Sequence, residues 1–188
     1  EIIVVIGYES DVIRDHCKRI KDLDITLVDN VDYEITNNMY SLYLTKEYVE
    51  GRSFFLSNGD VVFDPSIIHD LVRSAVDDVV VVDSAHYYEE SMKISVDADG
   101  NIDDISKSIS GTKAFGSSID VYRFSCHSST TLFDEMSRLI VRDQNRKEWT
   151  EVALQNLYQQ GRIKMRPFEL MERRWVEIDN YDDLGLAD

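Results

Sequence analysis

Short, unbroken runs of β-branched residues constrain this chain more than any other feature. Ile2-Ile-Val-Val-Ile6 and Val79-Val-Val-Val82 contain no polar residue. A strand with one wet face would alternate, so each run reads as a strand covered on both sides, as in a parallel sheet. What lies between them agrees. After Gly7, Ser10 or Asp11 can cap a helix in which Val12, Ile13, Cys17 and Ile20 recur at helical spacing. A strand at 25–28 then completes a βαβ unit. A strand at 53–56, a helix opened by Asp64-Pro65 and lined by Ile67, Ile68, Leu71, Val72 and Ala75, and the strand at 79–82 repeat the pattern. Beyond residue 90 the apolar period drops to two on either side of Asp99-Gly100, which predicts an inserted β-hairpin. A strand at 119–124, helices around 132–140 and 152–158, a strand at 174–178 and a short helix from Asn180 follow. The expected architecture is α/β: a Rossmann-like, largely parallel, doubly wound sheet with an inserted β-hairpin, in a single domain over residues 1–188.

Charge narrows the function. Twenty Lys and Arg against 36 Asp and Glu leave a formal charge of −16, which opposes the attraction that drives nucleic-acid binding. A polyanionic substrate must therefore meet a local basic or metal-lined site. No apolar run approaches the roughly 20 residues of a membrane span, so a cytoplasmic protein is expected. Cys17 and Cys126 are far apart with no CxxC spacing, which speaks against a disulfide framework or zinc knuckle and reads as two buried thiols. His16, His69, His86 and His127 form no ligand pair or nucleophile motif and read as surface or packing residues.

Ligands of open α/β sheets bind outside the carboxyl ends of the strands. Three such places carry chemistry. The strand at 53–56 ends in Ser57-Asn-Gly-Asp60, a carboxylate beside a glycine. In Trp175-Val-Glu-Ile-Asp179, strand alternation puts Glu177 and Asp179 on one face. Three carboxylates at strand ends suit hard divalent cations such as magnesium; they equally suit a helix cap at Asp179 and solvated turns elsewhere. The third place is Thr36-Asn-Asn38 with Ser41, where Thr36 can cap a helix and paired amides can hold a ribose, a base edge or a phosphate oxygen, or simply form a turn. The polar stretch at 106–118, with Gly111 and Gly116, fits a phosphate cradle or an ordinary surface connection.

Several blocks occur in order: Asn37-Asn-Met-Tyr-Ser-Leu-Tyr-Leu44, Asn58-Gly-Asp60 after a buried strand, Met92-Lys93 opening a strand, Asn145, Trp149 and Glu151 around a helix, and Trp175-Val-Glu-Ile-Asp179 followed by Tyr181-Asp-Asp-Leu184. Over nearly the whole chain this order resembles the small nucleotidyltransferases of the phosphocholine and inositol-phosphate cytidylyltransferase type, relatives of the sugar-phosphate nucleotidyltransferases. The resemblance implies a nucleotide-diphospho-sugar transferase type of sheet. It also implies an enzyme joining a nucleoside triphosphate, CTP first, to a small phosphorylated alcohol such as phosphocholine, with release of pyrophosphate. By the same resemblance Asp60 would hold magnesium on the nucleotide, and Glu177 with Asp179 would complete the metal site. Asn37, Asn38 and Ser41, with Asn58, Gly59 and Glu151, would line the nucleotide and substrate pocket. Lys93 would contact a phosphate, and Trp149, Tyr87 and Tyr88 would face a choline-like head group or pack at its rim. A first strand and a GxGxR loop with a Pro-Lys pair are implied upstream of Ile2, and none of the 188 residues matches them; without that strand a gap with unpaired backbone groups is expected. The alternatives are a sugar-1-phosphate nucleotidyltransferase or related glycosyltransferase, and a non-catalytic domain that binds nucleotide or a partner. An incomplete sheet also favours pairing with a second copy.

Overall fold

The computed structural model describes residues 1–86 and 90–187, so Tyr87 and Tyr88 lie outside the described residues. In chain order the elements are β1 (Ile2–Ile6), α1 (Ser10–Cys17), β2 (Ile25–Asp29), α2 (Asn38–Leu44), α3 (Lys46–Val49), β3 (Phe54–Ser57), β4 (Val61–Phe63), α4 (Ser66–Arg73) and β5 (Val79–Asp83). They continue with β6 (Lys93–Val96), β7 (Ile102–Ser106), β8 (Gly116–Phe124), α5 (Cys126–Ser137), α6 (Thr150–Gln159), β9 (Arg166–Glu169), β10 (Trp175–Glu177) and α7 (Tyr181–Ala187). The fold is a Rossmann-like α/β sandwich with a mixed central sheet.

β8, nine residues long, is the hub of a six-stranded sheet. β6 pairs with its first residues and β3 with its last four, while β5 runs along its other edge; all three are antiparallel to it. β9 joins β5 in parallel, and β1 pairs in parallel with β2 as the βαβ pattern requires. The hairpin around Asp99-Gly100 forms from β6 and β7, with Gly100 at φ 79 where a Cβ would be strained. β4 and β9 are additions to the sequence reading. β4 is only three residues long, and Pro167 in β9 masks a strand signal.

Both faces of the sheet are covered, which explains the unbroken β5 run. Val80 and Val82 point into a core built with α2, α5 and α6 around Met39, Tyr122, Phe133 and Leu154. Val79 and Val81 point the other way, against Ile67 and Leu71 of α4 with Ile119 and Val121. Each of the four valines is at most 2% exposed, a burial contributing about 1.5–3 kcal/mol per side chain. Gly116 lies where β8 meets β5: a Cβ there would stand 2.6 Å from Val82 Cγ1 and 2.7 Å from the Asp83 carbonyl oxygen. It is a packing glycine, required by this close approach to β5. Gly116→Ala is expected to destabilise the fold by about 1–3 kcal/mol, read as a lower urea midpoint at constant slope.

The β1–β2 pair does not hydrogen-bond to the larger sheet. A slot of about 840 Å³ separates β1 from β3, floored by Ser41, Leu42 and Thr45. Glu1 and Arg52, at the starts of its two walls, approach to 4.0 Å. Among the described residues no strand pairs with the edges of β1 and β3 that face it. No helix among the described residues is long and apolar enough to cross a membrane. Cys126 is exposed and Cys17 partly so, a correction to the expectation of buried thiols: α1 buries no residue completely, and Cys126 opens α5 at the surface.

Candidate functional site

A pocket of about 610 Å³ opens where β3 and β10 end and β8 begins, within the size range of small-molecule sites. Asp60 reaches it on the turn between β3 and β4, and its carbonyl accepts a hydrogen bond from Ile178 N at 2.8 Å. That bond ties the turn to the strand end carrying Glu177 and Asp179, so all three carboxylates line one pocket. Asn180, not Asp179, caps α7, accepting from Asp182 N at 2.8 Å, so the Asp179 carboxylate is not consumed as the helix cap. Among the described residues no three His, Cys, Asp or Glu side chains are grouped tightly enough to hold a metal ion. The three-carboxylate metal site expected from the sequence is therefore not preformed: shared lining is not convergence.

The opposite wall comes from α2 and α6. Asn37 caps α2, its side chain accepting from Asn38 N at 2.8 Å, so the capping role expected for Thr36 falls one residue later. Thr36 Oγ1 instead donates to the Asp32 carbonyl at 2.9 Å. Asn38 Oδ1 accepts from Thr150 N at 2.9 Å, which ties α2 to the start of α6. Glu151 is 5% exposed and accepts from the Tyr122 hydroxyl at 2.7 Å. Trp149 stands at the rim with the ammonium of Lys107 4.9 Å from its ring centroid, a cation–π contact.

Two expected residues lie elsewhere. Ser41 floors the slot beside β1, its Oγ accepting from Asn30 Nδ2 at 3.0 Å, because it faces away from the pocket on α2. Lys93 is 4% exposed and donates to the Ser91 carbonyl at 3.2 Å, drawn inward by its place in β6 rather than set on the pocket wall. Lys107, on the loop after β7, is the cation that lines the pocket among the described residues.

Asp120 and Tyr122 escaped the sequence reading. Three residues of β8, 119–121, lie opposite Val81 alone, and this bulge puts Asp120 in the left-handed region at φ 58. Its Oδ2 accepts from Asn58 Nδ2 at 2.8 Å and its Oδ1 from Tyr122 OH at 3.2 Å. Burial, then the nearby charge of Glu151, pushes the Asp120 carboxyl up to about 7 against the opposing hydrogen bond from Tyr122. Burial likewise raises Glu151, and burial followed by the charges of Asp120, Asp179 and Asp60 raises Glu177. One signal was visible: an aspartate interrupting an apolar, aromatic strand.

Solved structures share this architecture. The chain aligns over 98% of its length with the inositol-1-phosphate CTP transferase from T. maritima, covering 73% of that chain at 21% identity and a TM-score of 0.74. It aligns over 99% with CTP:phosphocholine cytidylyltransferase from Streptococcus pneumoniae, covering 76% of that chain at 22% identity and a TM-score of 0.72. The fold is nucleotidyltransferase-like. A curated CMP-5'-(3-aminopropyl)phosphonate synthase from Streptomyces rubellomurinus is 28% identical over 105 residues, 55% of this chain. The match spans only 17% of that relative's length. No family model matches the chain.

Proposed function

We propose that this chain is a magnesium-dependent nucleotidyltransferase that joins CTP to a small phosphorylated alcohol with a cationic head group, such as phosphocholine. The observation that carries the proposal is a single pocket lined both by Asp60, Glu177 and Asp179 and by a cation seated on an aromatic face. The similarity of fold to two CTP-using transferases supports it.

The chemistry asks mainly for positioning. A phosphomonoester has its second pKa near 6, so at neutral pH the acceptor is largely a dianion and needs no general base. One of its oxygens attacks the α-phosphorus; the bond from that phosphorus to the bridging oxygen breaks and pyrophosphate leaves. Asp60, Glu177 and Asp179 line this one pocket and are hard oxygen donors of the kind magnesium takes; they would have to draw together to share one ion. Bound there, the ion supplies charge neutralisation for the phosphates. Asn37 and Asn38 on one wall and Asn58 and Gly59 on the facing one line the space the nucleotide fills. Lys107 takes the phosphate-contacting role that the sequence suggested for Lys93. Trp149 receives the acceptor's cationic end in place of the Lys107 ammonium.

Pyrophosphate release with magnesium tests the proposal, run on the full natural chain with CTP, UTP, GTP and ATP against phosphocholine, phosphoethanolamine, inositol phosphate and hexose-1-phosphates. Release confined to CTP with a cationic acceptor is expected. Release only with hexose-1-phosphates would move the protein to the sugar-phosphate enzymes, and magnesium and CTP binding without turnover would make it a binding domain. Within an active pair, Trp149→Ala is expected to raise KM for the cationic acceptor roughly tenfold while leaving KM for CTP within about twofold, since only the acceptor meets the indole face.

A further inference from the structure

We infer that Asp120 is a positioning residue that clamps the turn carrying Asp60. The inference rests on the role proposed for Asp60. Asp120 holds Asn58 twice: its carbonyl accepts from Asn58 N at 3.2 Å and its Oδ2 from Asn58 Nδ2 at 2.8 Å. From the far side Ile178 N bonds the Asp60 carbonyl, so the 58–60 turn is pinned from β8 and from the end of β10. Asp120 is itself fixed. Its own N–H donates to Ser118 Oγ at 3.0 Å, and its Oδ1 accepts from Tyr122 OH, which also reaches Glu151.

A hydrogen-bonded path thus runs from the turn through Asn58, Asp120 and Tyr122 to Glu151 on α6. It crosses the back of the pocket and links its two walls. The backbone conformation needed is one that non-glycine residues adopt at a cost, and here it occurs in a bulge beside the candidate site. Glycine would accept that backbone more readily, so the side chain is present for its contacts.

The test compares Asp120→Gly, Asp120→Asn and Asn58→Ala by amide hydrogen exchange and, on the substrate pair that wild type turns over, by steady-state kinetics. Glycine suits φ 58, so Asp120→Gly should fold while losing the side-chain half of the clamp and keeping only the backbone bond to Asn58 N. Exchange at the Asn58 amide, which bonds the Asp120 carbonyl, is expected to rise at least about tenfold, kcat to fall about 10–100-fold, and KM for the nucleotide to stay within about threefold. Asp120→Asn keeps an oxygen for Asn58 and should restore both protection and turnover to within about fivefold of wild type. Asn58→Ala should reproduce the Asp120→Gly phenotype from the other side, and the double change should add little.

A wild-type exchange rate at the Asn58 amide in Asp120→Gly would overturn the clamp whatever the kinetics. Raised exchange with unchanged kcat would overturn the positioning role. A wild-type chain that is folded yet inactive would sink the proposed function while the exchange comparison still decided the clamp.

Discussion

Alanine at Asp60 is expected to cut pyrophosphate release about 10²–10³-fold, the range seen when one preorganised charge-stabilising group is lost. The fold should barely notice. Asp60 is exposed, and its backbone, not its side chain, makes the bond to Ile178. The midpoint of urea unfolding should therefore stay within about 0.5 kcal/mol of wild type, as for ordinary surface changes. The loss should lie in kcat and in the apparent affinity for magnesium, so raising the metal concentration should recover part of the rate. A fully active Asp60→Ala protein would remove Asp60 from the metal site; an unfolded one would give the residue a structural role instead.

The second large effect is on stability against pH in the absence of divalent cations. Asp120 has its carboxyl near 7 in the folded chain, against roughly 3.9 when unfolded. Between those values the folded state holds the extra proton, so its stabilising contribution is complete below about pH 4 and is lost as pH rises through 7. Glu151 shifts in the same direction and shares Tyr122 OH with Asp120, so the two titrate as a coupled pair. Urea unfolding should report a loss of about 2–4 kcal/mol between pH 5 and pH 8.5 for the wild type. Asp120→Asn should flatten most of that slope, and magnesium should reduce it in the wild type by offsetting the carboxylate charges. A wild-type stability that rises with pH over this window would contradict the assignment.

Much of this was legible in the sequence because the signals were local. The β1 and β5 runs, the turn at Asp99-Gly100 and the helix after Asp64-Pro65 each carry their instruction within a few residues, and each element formed where expected. Strand direction was not local. Nothing within 116–124 states that β8 lies antiparallel to three partners, because that depends on segments far away in the chain. The candidate residues divide the same way. Asp60, Glu177 and Asp179 share a pocket because they end strands, which spacing alone can express. Ser41 and Lys93 went elsewhere because neighbouring residues on a helix or strand face different sides, and a shared motif says nothing about which side is the pocket. Asp120 entered the site through a bulge, which needs a ladder partner before it exists.

The central place of β8 also sets a clock. β5 has no sheet partner until β8, at 116–124, and then β9, at 166–169, have left the ribosome. At about 5–20 residues per second, the wait from the end of β5 to the end of β8 lasts about 2–8 s. Throughout it the nascent chain displays Val79-Val-Val-Val82, a short, uncharged, β-prone stretch that invites pairing between chains. Yield of soluble protein should therefore fall when synthesis is slowed between codons 84 and 124, and recover when a chaperone that binds extended apolar segments is supplied.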